Sequence, residues 1–100
     1  MVIIAFASYP RERAQEMEKR FIQLSPPPEF IKTEGPYMYS GSNGGVQAAT
    51  LFKFDKSKMS EALHFANDQH AVFFGVVPGY TYEIKVCAGT ERGLTVSHVT

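Results

Sequence analysis

The sequence predicts an α+β fold: one four-stranded antiparallel sheet with two helices. Three observations predict it. Strand-like and helix-like segments follow one another in the order β-α-β-β-α-β. A glycine-rich turn, Ser40-Gly41-Ser42-Asn43-Gly44-Gly45, sits at the midpoint. The first and third strand segments are apolar on both alternating faces, as strands in the middle of a sheet are.

Each element follows from its own pattern. In Val2–Ala7, Val2, Ile4 and Phe6 point one way and Ile3, Ala5 and Ala7 the other. Pro10 suits the first turn of a helix, where a missing N–H costs nothing. Ala14, Met17, Phe21 and Leu24 then make one apolar stripe at helical spacing. Glu16 and Arg20 form an i,i+4 pair on the solvent side. Pro26-Pro27-Pro28 stops the helix and reads as a stiff connector.

The second strand runs from Phe30 to Tyr39 and contains Gly35-Pro36. Proline cannot donate to a ladder, so this strand belongs at a sheet edge or carries a bulge. Asn43-Gly44 predicts a hairpin, because both residue types tolerate positive φ. A phosphate-binding loop would need a Lys-Ser/Thr ending and a following helix, and has neither here. On the third strand Val46, Ala48, Thr50, Phe52 and Phe54 share a face opposite Gln47, Ala49, Leu51 and Lys53.

Asp55 and Ser57 are candidate N-caps of the second helix. Its expected buried stripe is Met59, Ala62, Leu63 and Ala66, and His70 falls in line with it at 100° per residue. Gly75 and Pro78-Gly79 break the chain before a fourth strand, in which Tyr80, Tyr82, Ile84 and Val86 face one side. The tail Leu94–Val99 alternates weakly and allows a fifth strand.

Right-handed crossovers and a central hairpin reduce the topologies to a ferredoxin-like sandwich. It has sheet order 4-1-3-2 and both helices on one face. The chain is read as one domain, 1–100. The other sheet face then lacks a helix although Ala49 and Leu51 lie on it. Such a face marks an interaction site, and the expected partner is a second copy packed sheet to sheet. The tail would wrap around that copy.

Ten basic and ten acidic residues give zero net charge. That argues against a nucleic-acid-binding role, which needs a basic surplus, and offers little protection against self-association. One cysteine, Cys87, precludes an intrachain disulfide and suits a reducing, cytoplasmic setting. The apolar start lacks a basic leader and no run reaches membrane-spanning length, so neither secretion nor a membrane is expected.

Pro26-Pro27-Pro28, the strand around Gly35, the Gly44-Gly45 hairpin, Phe52-Lys53-Phe54-Asp55 and Val77-Pro78-Gly79-Tyr80 together carry a resemblance. From Phe21 through Val86 the chain resembles the dimeric α+β barrel superfamily, and within it an uncharacterised family of short domains. The resemblance implies a homodimer of ferredoxin-like protomers. Its members include cofactor-free monooxygenases, haem-binding enzymes, isomerases and stress-response proteins. These motifs are structural, so they do not choose among activities.

His70 is the candidate catalytic or ligand-binding residue, because an imidazole on an inner helix face can act as a base. The commoner role at that position is a hydrogen-bonded histidine at a helix C-terminus. His64 lies six residues away, off the i,i+4 face used by paired metal ligands, and His98 lies in the tail. No metal site and no cofactor are therefore predicted. Tyr37 and Tyr39, with Tyr80 and Tyr82, supply phenols for a flat ligand, although such tyrosines more often stabilise sheet edges. Glu34 has no second carboxylate to work with, and Cys87 has no neighbouring histidine. The third strand lacks the basic-aromatic pattern of an RNA-recognition domain.

The functional expectation is a small homodimeric ligand-binding, stress-response or interaction domain. The alternative is a cofactor-free oxygenase or isomerase acting on a small apolar or aromatic molecule between helices and sheet.

Overall fold

Alternating burial along β1 (Val2–Tyr9) sets out the architecture. Ile3, Ala5, Ala7 and Tyr9 are buried under the helices, while Val2, Ile4, Phe6 and Ser8 are half-buried on the far side. The strand runs two residues past Ala7, which adds Tyr9 to the covered face. A computed structural model describes residues 1–87 of the chain. The expected fifth strand, the tail's role and His98 lie outside the described residues.

The remaining elements are α1 (Ala14–Ile22), β2 (Lys32–Ser40), β3 (Val46–Lys53), α2 (Met59–Ala71) and β4 (Thr81–Cys87). A single tight helical turn precedes each helix, Arg11–Arg13 and Lys56–Lys58. The strands form one antiparallel sheet in the order β2-β3-β1-β4. Counted from the opposite edge this is β4-β1-β3-β2, compatible with a ferredoxin-like arrangement. β1 and β3 are central because each can be covered on both faces.

Two apolar clusters hold the helices to the same sheet face. α2 lays Ala62 and Ala66, both without exposed surface, against Ile3, Ala5, Phe52 and Phe54. Alanine at these positions lets the helix approach closely. At the other end Met17 of α1 joins Ala7, Tyr9, Phe73, Val77 and Tyr80. Asp55 starts the second helical segment by accepting from the Ser57 amide at 3.0 Å and the Ser57 hydroxyl at 2.6 Å.

Three expected core residues are exposed instead. Phe21 lies at the end of a helix that stands off the sheet. Leu63 lies 100° round the helix from Ala62 and overhangs the β4 edge, where Ile84 and Val86 border a shallow groove with it. Val86, on the strand side of that groove, is exposed as well.

The edge strand β2 carries both a proline and a bulge. Gly35 and Pro36 together stand opposite one residue of β3, between the pairs Glu34↔Leu51 and Tyr37↔Ala49. Gly35 has φ +99°, and a Cβ there would sit 2.9 Å from the Ala49 carbonyl oxygen. Only glycine fits this point without displacing backbone. The hairpin closes through Gly41 N–H to the Gly45 carbonyl at 2.8 Å. Gly44 takes the positive φ, whereas Asn43 instead accepts a hydrogen bond from the Gly45 amide at 2.9 Å.

Candidate functional site

Because α1 stands off the sheet, a cavity of about 630 Å³ opens between the helices and strands β1–β3. That is within the size range of small-molecule sites. Its floor is Ala7, Ala48, Thr50 and Phe52, and small side chains on adjacent central strands make the space. Exposed Phe21 and Met38 stand at its mouth.

His70 lines this cavity and is 9% exposed. Its Nδ1 lies 2.9 Å from the Ala66 carbonyl oxygen. A carbonyl only accepts, so Nδ1 carries the proton and Nε2 carries the lone pair in the neutral ring. The imidazole stacks on Tyr82, centroids 5.6 Å apart, and Tyr82 donates to Asn67 Oδ1 at 3.1 Å. Burial pushes the His70 pKa below its ordinary value, partly offset by the bond to Ala66.

The unfolded chain protonates His70 near the ordinary value of 6.5, and the folded chain does so only at lower pH. In that window the unfolded state binds more protons, so stability rises with pH. It is complete above about 6.5 and declines on acidification toward the lowered folded pKa. Urea midpoints at about pH 5 should fall below those at about pH 7.5, and His70→Gln should flatten that part of the profile. A wild-type midpoint that rises on acidification would mean that the folded ring is charged.

The structure adds two phenols to His70. Tyr9 and Tyr80 line the cavity, 5% and 4% exposed, with rings stacked at 6.4 Å. Burial raises both phenol pKa values, and Glu18 adds to the effect at Tyr9. Tyr80 follows the expected fourth-strand face, whereas Tyr9 needed the first-strand alternation to be extended by two residues.

Tyr37 and Tyr39 do not join His70. The bulge at Gly35-Pro36 inverts the alternation of β2, so Met38 enters the cavity wall while Tyr37 and Tyr39 pair with Ala49 and Gln47 on the far face. There the Tyr37 hydroxyl donates to Glu34 at 2.8 Å, and Lys53 bridges the same carboxylate at 2.8 Å. The bonds from Lys53 and Tyr37 hold the Glu34 pKa below its ordinary value. His64 is exposed beside Asp68 at 3.3 Å. Among the described residues no group of three or more His, Cys, Asp or Glu side chains is placed to hold a metal ion, and no helix is long and apolar enough to cross a membrane.

The polar groups of the cavity are short of partners. Thr50 is 8% exposed. Among the described residues the hydroxyls of Tyr9, Thr50 and Tyr80, and His70 Nε2, make no hydrogen bond to protein. Yet among the described residues no side-chain nitrogen or oxygen is sealed away without a partner. These four groups therefore keep some accessible surface, and the residues that carry them all line the cavity.

No protein-family model matches the chain, and no curated protein matches it. Among solved structures it is similar to De novo designed protein Foldit4, with 12% identity and a TM-score of 0.48 over 89% of this chain and 96% of that one.

Proposed function

We propose that the protein is a small-molecule-binding domain that works as a homodimer. One observation carries the binding role: the buried residues Tyr9, Thr50, His70 and Tyr80 line one largely apolar cavity, and among the described residues their hydroxyls and His70 Nε2 make no hydrogen bond to protein. A ligand that covers these groups must bond them, since a polar group buried without a partner costs about 1–3 kcal/mol. A largely apolar ligand with a polar end satisfies both kinds of wall.

The expected probe is N-phenyl-1-naphthylamine, a neutral fluorophore that brightens in apolar sites. Wild-type protein should bind it saturably, and Ala48→Leu or Ala7→Leu, which fill the floor, should weaken binding by at least about tenfold while circular dichroism stays native. Undiminished binding in both filled variants would remove the cavity from consideration.

The second copy packs on the open sheet face. Ile4, Phe6, Ala49 and Leu51 form its half-buried centre, edged by exposed Tyr37 and Tyr39. Glu34–Lys53 and Glu83–Lys85 pairs stand at opposite edges, so each copy presents both charges to its partner. That self-complementarity, with zero net charge, favours a two-fold copy of this chain. It agrees with the dimeric α+β barrel resemblance, and the lone cysteine with a cytoplasmic setting.

A second reading is a cofactor-free oxygenase or isomerase. Neutral His70, with an accepting Nε2 at the cavity wall, favours it. There Nε2 would take a proton from the ligand, which Tyr9 or Tyr80 would orient.

A further inference from the structure

We infer that the cavity selects neutral aromatic ligands carrying a hydroxyl or N–H donor, with His70 as the specificity-determining acceptor. The inference rests on the ligand-binding reading above and adds the chemical class.

Among the described residues Glu18 is the one charged side chain on the cavity wall, and no lysine or arginine lines it. A carboxylate or phosphate entering would lose its water, gain no counter-ion and meet a like charge. Anionic ligands are therefore rejected.

The Ala66 carbonyl fixes the Nδ1 proton, so the neutral ring offers the cavity an acceptor and no donor. A ligand must bring the proton. The hydroxyls of Thr50, Tyr9 and Tyr80 then donate to the same ligand atom or to a second one, as their free rotors allow.

Phe65 stands edge-on to Phe52 at 5.9 Å, and Phe73 edge-on to Tyr80 at 5.4 Å. These rings, on the cavity wall, offer faces and edges on which a flat aromatic frame packs.

The test uses three probes of one shape: 2-naphthol, naphthalene and 2-naphthoate. The chain contains no tryptophan, so naphthyl emission is read against tyrosine alone. 2-Naphthol should bind about tenfold tighter than naphthalene, the worth of one acceptor left unpaired, and at least about tenfold tighter than 2-naphthoate. On full-length protein, the His70 Nε2 nitrogen resonance should move with 2-naphthol and stay with naphthalene. His70→Phe should lose the preference for 2-naphthol over naphthalene. If that variant fails to fold, the wild-type resonance decides alone. Equal binding of naphthol and naphthalene, tight binding of naphthoate, or an unmoved Nε2 would overturn this inference and leave the ligand-binding reading standing. Binding of none of the three, with no uptake of N-phenyl-1-naphthylamine, would overturn both.

Discussion

Ile3→Ala should lower the unfolding free energy by about 2–5 kcal/mol. Ile3 has no exposed surface and lies where the central strand meets Ala62 and Ala66 of α2. Those alanines cannot grow to fill a void, and Phe52 is already braced by the ring of Phe65. The cavity would persist, so the loss includes both the transfer of the isoleucine and the unrelaxed space. Domains of this size have only about 5–15 kcal/mol to lose. The thermal midpoint should fall by roughly 10–25 °C. Ile4→Ala provides the internal comparison. It removes the same atoms from the next residue, on the half-buried side, and should cost the isolated protomer distinctly less. Urea titrations of both variants measure the difference. Equal losses would mean that the two faces of β1 are equally packed within one protomer, against the architecture described.

The second large effect concerns assembly. Wild-type protein should sediment as a dimer at micromolar concentration, and Leu51→Lys as a monomer. Leu51 is half-buried at the centre of the open face, paired with Ile4 and Glu34 and turned away from the helices. A lysine there is tolerated by a solvated protomer. In a two-fold interface each substitution counts twice, bringing two ammonium groups into apolar surroundings. The protomer's circular dichroism should be unchanged. A monomeric wild type, or a Leu51→Lys dimer as tight as wild type, would remove this face as the interface.

Much of the frame was legible because the doubly apolar segments Val2–Ala7 and Val46–Phe54 can only be central strands, and Pro36 can only sit at an edge or bulge. Helical periodicity likewise aligned Ala62, Ala66 and His70 along one buried line. The site was less legible. A cavity arises from small residues on different strands, Ala7 and Ala48, meeting beneath a helix that stands away from them. No local spacing reports that meeting. Tyr9 escaped notice because Pro10 closes the strand directly after it. Tyr37 and Tyr39 were misplaced because the length of a bulge is a property of the paired strands, not of one of them. Phe21 fits the apolar stripe of α1, but periodicity does not say how far along a helix its cover extends.

The extra residue at Gly35-Pro36 has a consequence for how this sequence can change over time. Downstream of it, odd positions of β2 serve the outer surface and even positions the inner one; upstream the assignment is reversed. The strand is thus written in two reading phases joined at one splice. Losing a single residue there would bring Tyr37 and Tyr39 inward and send Met38 outward, changing the cavity wall and the open sheet face at one stroke. Point substitutions can adjust either surface independently, whereas an insertion or deletion of one residue must rewrite both.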